Sequence, residues 1–168
     1  MSTFAVDDIV QEKGGQKTAQ ARLGLSVSEK DSHGILEAVK NGADVNEATF
    51  HVGDDTEEDG ALGGTCTAVY LAASDGGWGP DQVSARYGDC AQWAGGETAE
   101  VLETLLSDPV NANPDKGDTE AGCTPLLIAA HADQPLAIAT LLKHGANPNL
   151  ANPDGWTPLM EVVTTETR

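Results

Sequence analysis

Apolar side chains fall at helical spacing in short runs, separated by polar and glycine-rich stretches. The clearest run is Leu126, Ala129 and Ala130, preceded by Thr124-Pro125. Threonine suits an N-cap because its hydroxyl takes up an orphan backbone N–H. Proline at the next position loses no hydrogen bond, since the first helical N–H has no intrahelical partner. The pattern predicts a helix opening at Pro125, with alanines that let a second helix approach closely. A turn over His131 to Pro135 follows, then a second helix with Ile138, Leu141 and Leu142 as its apolar stripe. Gly145 is the left-handed residue expected after that helix. Ala146-Asn147-Pro148-Asn149 then leads into an extended loop ending at Asp154-Gly155.

The unit repeats. Gly122-Cys123-Thr124-Pro125-Leu126 is answered by Gly155-Trp156-Thr157-Pro158-Leu159, with an offset of 33 residues at every matched position. So short a unit cannot bury its own apolar face and has to stack on neighbours. The period and the Thr-Pro-Leu core resemble the ankyrin-repeat family. Upstream, Thr67-Ala68-Val69-Tyr70-Leu71-Ala72-Ala73 is similar to the family's Thr-Pro-Leu-His-x-Ala-Ala stretch, with Ala for Pro, Val for Leu and Tyr for His. Its second helix is expected over Glu97 to Ser107, with Val101, Leu105 and Leu106. Val110-Asn111-Ala112-Asn113 is then expected where Ala146-Asn147-Pro148-Asn149 stands in the next unit. Ile35 to Lys40, followed by Gly42-Ala43-Asp44-Val45-Asn46, reads as a second helix and its exit, with a degenerate first helix near Ala19 to Ser28. The last unit stops after one helix, Thr157 to about Thr164. The resemblance implies an all-α ankyrin-repeat solenoid over residues 19–168, with about three helix-pair repeats, a C-terminal half-repeat and little sheet; residues 121–163 match cleanly. Residues 1–18 are expected to be an N-terminal tail or a cap.

Departures from the repeat carry further information. The compact connection, Asn149 to Thr157, is 8 residues, Asn113 to Thr124 is 11, and Asn46 to Thr67 is 21. A second enlargement replaces the helix–helix turn of the middle unit. The two insertions cover about 47–64 and 76–96. Long loops in a compact fold are usually functional or disordered.

Charge changes the picture of what the chain can bind. Of the net −18, residues 41–168 carry −17, while residues 1–40 are close to neutral. That field opposes binding to nucleic acid or to anionic lipid. It fits a basic partner, or simple solubility. No apolar run approaches the length of a membrane span, so direct membrane insertion is not expected, and the N-terminus lacks a basic-then-apolar leader. Three cysteines without C-x-x-C spacing read as free thiols in a reducing compartment. The expected setting is soluble and intracellular, in the cytoplasm or in an organellar complex.

The acidic insertion holds Asp54, Asp55, Glu57, Glu58 and Asp59. Asp55, Glu57, Asp59 and Gly60 match positions 1, 3, 5 and 6 of a calcium-binding loop, but position 12 is Cys66 rather than glutamate. A solvated acidic loop that binds no metal is the expectation. The second insertion places Trp78, Tyr87 and Trp93 amid Gly and Pro. These aromatics either anchor a partner or fold back to plug the stack. Trp156, in the position of Cys66 and Cys123, is expected at a partly exposed loop tip.

Catalytic patterns find no match. His33, His51, His131 and His144 are scattered, and no nucleophile elbow, phosphate loop or H-E-x-x-H is present. His131 and His144 fall at helix ends, where structural hydrogen bonding is expected. No cofactor and no catalytic residue are assigned. The resemblance implies a protein–protein interaction module, a free adaptor or an accessory subunit of a larger assembly. It is expected to bind through loop tips and insertions, using Trp78, Tyr87, Trp93, Trp156 and the five acidic residues. The alternative is a metal-regulated sensor or an enzyme that uses the inserted loops.

Overall fold

The computed structural model describes residues 18–52, 64–74, 96–119 and 122–165. Over these residues the chain forms seven helices and one short hairpin. The order is α1 (18–28), α2 (Ser32–Lys40), β1 (Phe50–Val52), β2 (Gly64–Cys66), α3 (Ala68–Ala73), α4 (Gly96–Leu106), α5 (Pro125–His131), α6 (Pro135–Lys143) and α7 (Pro158–Thr165). Helices pair as α3 with α4 and α5 with α6. The pairs stack so that α3, α5 and α7 form one row and α2, α4 and α6 another. This is the all-α repeat solenoid expected, three pairs and a half.

The caps form as the sequence dictates. Thr124 Oγ1 accepts the Leu127 N–H at 3.2 Å, and Thr67 Oγ1 accepts the Tyr70 N–H at 3.3 Å. Every residue of α3 is buried, because the helix lies inside the row. Leu23, Ile35, Val69, Val101, Leu102, Leu105 and Leu141 are the large side chains fully enclosed in the core. The degenerate first helix contributes Ala19, Leu23 and Val27 to that same core. Its Gln20 holds the first exit loop, with Nε2 donating to Asp44 O at 3.0 Å and Oε1 accepting Asp44 N at 2.9 Å.

Two expectations need correction. Leu142 is 44% exposed, although its stripe partners Leu141 and Ile138 are buried and half-buried. The position is not intrinsically a surface one. Its equivalent, Leu106, one place after Leu105 as Leu142 is one place after Leu141, is buried in the middle unit. Ala137 takes the inward place in α6 instead.

The second correction concerns register. Ala146 N donates to Leu141 O, Ala43 N to Ala38 O and Ala112 N to Leu105 O, at 3.0, 3.0 and 2.9 Å. Ala112-Asn113-Pro114-Asp115, not Val110-Asn111-Ala112-Asn113, therefore stands where Ala146-Asn147-Pro148-Asn149 stands. The exit of α4 is two residues longer than that of α6, seven steps from Leu105 to Ala112 against five from Leu141 to Ala146. The left-handed residue before each alanine is Gly42 (φ 94°), Asn111 (φ 51°) and Gly145 (φ 85°). Asparagine tolerates this region better than other side-chain-bearing residues, so the middle unit reaches the same exit without glycine.

Candidate protein-binding face

Each repeat connection folds back as a finger. In the first, Thr49 N donates to Cys66 O at 3.2 Å, and β1 pairs antiparallel with β2 in the register Phe50↔Cys66, His51↔Thr65, Val52↔Gly64. In the second, Asp118 N donates to Cys123 O at 3.2 Å; in the third, Asn152 N donates to Trp156 O at 2.9 Å. Thr49, Asp118 and Asn152 are thus equivalent, as are Cys66, Cys123 and Trp156. The first finger is the one lengthened into a true hairpin, and the acidic insertion joins its two strands.

Side chains close the shorter fingers. Both oxygens of the Asp118 carboxylate are used, Oδ1 accepting Gly122 N at 3.0 Å and Oδ2 accepting Cys123 N at 3.1 Å. Asn152 Oδ1 accepts Asp154 N at 3.1 Å and Trp156 N at 2.9 Å. Neighbouring fingers are then tied to one another. Thr119 N donates to Thr65 O at 2.9 Å, and the Thr67 hydroxyl donates to Lys116 O at 2.6 Å.

A second set of links runs beneath the fingers. Asn46 Oδ1 accepts Asn113 N at 2.7 Å, and one unit later Asp115 Oδ1 accepts Asn147 N at 2.8 Å. Within each unit the first residue of the same tripeptide closes a turn on the third. Asp44 Oδ1 accepts Asn46 N, Asn113 Oδ1 accepts Asp115 N, and Asn147 Oδ1 accepts Asn149 N, at 2.8 to 3.0 Å. Such side-chain turns fix loop backbone that has no ladder of its own. The fingers are consequently held in a row at defined spacing, which is what a preorganised binding face requires. The pattern Asp44-Val45-Asn46, Asn113-Pro114-Asp115, Asn147-Pro148-Asn149 is the signal that the sequence offered for this ladder, and the register slip hid it.

The two thiols and the phenol of the face are held toward their protonated forms. Burial, and after it the nearby Asp118 carboxylate, pushes the Cys66 thiol up to about 12. Cys123 is raised for the same reasons in the same order, and Tyr70 is raised by burial and then by Asp118, to which its hydroxyl donates. Protonated thiols are neither nucleophiles nor metal ligands. Among the described residues no group of three or more His, Cys, Asp or Glu is placed to hold a metal ion. Cys66, at the twelfth position of the calcium-like stretch, is a buried thiol in β2 and no ligand for a hard cation.

The helix-end histidines do hydrogen-bond. His131 Nδ1 lies 2.5 Å from Glu161 Oε1, joining α5 to α7, and His144 Nε2 lies 3.0 Å from Glu103 Oε2, joining α6 to α4. Glu103 also accepts from Lys143 Nζ at 2.7 Å.

Of the partner-binding residues expected from sequence, Trp156 is described, and it is exposed at the base of the third finger. Asp54, Asp55, Glu57, Glu58, Asp59, Trp78, Tyr87 and Trp93 lie outside the described residues, as does Cys90. Among the described residues no helix is long and apolar enough to cross a membrane.

The family model described as ankyrin repeats (3 copies) matches residues 89–166. None of the curated proteins compared with the chain matches it. Ahead of the matched span, the exit loop of α2 repeats the same backbone bond and links Asn46 to Asn113. Residues 89–166 match the ankyrin-repeat model, and ankyrin repeats suggest a protein–protein interaction module.

Proposed function

We propose that this protein is an adaptor or accessory subunit that binds a basic surface of another protein through its finger row. The observation that carries the reading is the first finger. Its strands are held in register to Val52↔Gly64, so the segment bearing Asp54, Asp55, Glu57, Glu58 and Asp59 starts and ends at the tip of a paired hairpin. Acidic groups act at long range on an approaching basic partner, raising the association rate more than the final affinity. The net charge of −17 over residues 41–168 adds to that field and disfavours nucleic acid. Trp156, exposed at the third finger, supplies an apolar anchor in the same row, and Trp78, Tyr87 and Trp93 are the further anchor candidates.

The test is to place a photo-crosslinking residue at position 56 and identify what it captures in cell extract. The captured partner is then purified, and its association rate measured with the parent chain and with a variant in which the five acidic residues are amides. The reading expects slower association of the variant at low salt and convergence of the two rates at high salt. Equal rates at low ionic strength would remove the steering role.

A further inference from the structure

The first unit anchors its finger differently from the third. Asp31 N donates to Ser26 O as Gln134 N donates to Ala129 O, and Ala43 N donates to Ala38 O as Ala146 N donates to Leu141 O. One constant offset therefore carries Ser26 to Ala129 and Ala43 to Ala146. The same offset carries Gln20 to Cys123, Asp44 to Asn147 and Thr49 to Asn152. In the third unit two residues anchor the loop. Asp115 of the unit before accepts Asn147 N at 2.8 Å, and the side chains of Cys123 and Asn152 hydrogen-bond to one another. In the first unit one side chain makes both contacts. Gln20 Oε1 accepts Asp44 N at 2.9 Å, and Gln20 Nε2 donates to Thr49 Oγ1 at 2.9 Å.

Glutamine is suited to this because its amide carries an acceptor and two donors. The second Nε2 hydrogen goes to Asp44 O at 3.0 Å, so the amide grips both backbone groups of Asp44 as a neighbouring strand would. Gln20 is buried on α1, which fixes it to the helix stack. Thr49 stands at the base of the first finger, where its N–H donates to Cys66 O at 3.2 Å. Asp118 and Asn152 reach across their own fingers to Cys123 N and Trp156 N, whereas Thr49 has a shorter side chain whose hydroxyl accepts from Gln20. On its far side the first finger is tied by Thr119 N to Thr65 O at 2.9 Å. We propose that Gln20 is the positioning residue of the first finger, its amide setting the base of the β1–β2 hairpin against the helix stack. It touches no partner and acts through Asp44 and Thr49. A finger set in place beforehand costs less to order on binding. That bearing on binding rests on the finger-row reading; the positioning itself does not.

The test is residue-resolved amide hydrogen exchange of the full chain at neutral pH, with no partner added, for the parent, Gln20→Met, Gln20→Glu and Thr49→Val. Methionine keeps the length and the apolar stem but has no donor. Gln20→Met should speed exchange at Asp44 and Thr49 by at least about tenfold while α5 and α6 stay within about twofold of the parent. Gln20→Glu keeps the acceptor and loses the donors, so Asp44 should stay protected while Thr49 is released. Thr49→Val should give that same split. If Gln20→Met does not fold, these two variants carry the comparison. Parent-like exchange at Thr49 in the Gln20 variants would overturn the proposal, because the hairpin would then hold itself. An equal rise over Thr49, α5 and α6 would overturn it too, because Gln20 would then serve the core in general. A captured partner that leaves the fingers unprotected would remove the binding reading and not this result.

Discussion

Asp115 Oδ1 accepts the backbone N–H of Asn147 at 2.8 Å, across the boundary between two repeats. The same bond one unit earlier joins Asn46 to Asn113 at 2.7 Å. Stacked units of this kind share their stability with their neighbours, and these bonds are part of the shared term. Asp115→Ala should lower unfolding stability by about 1 kcal/mol, the net worth of one such bond. Asp115→Asn, which keeps the acceptor, should recover most of that in urea denaturation. An unchanged midpoint for the alanine variant would show that the ladder is decorative.

Leu141 and Leu142 are adjacent in sequence and opposite in consequence. Leu141 is fully enclosed, so Leu141→Ala should cost roughly 2–5 kcal/mol through transfer and cavity terms. Leu142 is open to solvent, and Leu142→Ala should fall within about 0.5 kcal/mol of the parent. Denaturant midpoints of the two variants check this, and equal losses would place the helix in the wrong rotation.

Much of the fold was legible because the caps are local. Thr67 and Thr124 sit one residue before their helices and act through hydroxyls that reach three residues on. Gly145 is likewise read from its own turn. The middle exit was misread because Asp108 and Pro109 lengthen it, and because Asn111 does the work that glycine does elsewhere. The exposure of Leu142 was not legible because burial at that position depends on packing from outside α6, which no periodicity within α6 can reveal. The hairpin was missed because strands of three residues are too short to show alternation. The pairing of Glu103 with Lys143 and His144 spans some 40 residues and carries no local signal. Of the candidate site, the exposure of Trp156 was foreseen, whereas the ladder of Asn46, Asn113, Asp115 and Asn147 emerged only from the three-dimensional register.

The contact of Glu103 with Lys143, and after it with His144, holds its carboxyl below the ordinary glutamate range. A carboxyl lowered on folding adds stability that is fully present above the unfolded value and is lost as pH falls through about 4.3 toward the lower folded value. Glu103→Gln should therefore narrow the difference in denaturant midpoint between neutral pH and about pH 3. Because the group is exposed to solvent, the effect should shrink in high salt. An acid limb identical to the parent's would assign no role to this contact.

Cys66 should behave as a reporter of unfolding. Its thiol is enclosed in the core and pushed up to about 12 by burial and by Asp118. At about pH 8 the native chain should leave Cys66 unmodified by a thiol reagent, while denaturant exposes it at once. Labelling followed by peptide mass analysis reads the site directly. Modification at Cys66 in the native state as fast as in denaturant would contradict its placement in the core.

The row of fingers as the partner-binding face is tested most directly by amide hydrogen exchange of the chain, alone and with the partner captured at position 56. Slowed exchange is expected over 49–52, 64–67, 118–123 and 152–156, with α2 and α4 unaltered. Protection confined to those outer helices, with the fingers exchanging as in the free protein, would contradict it.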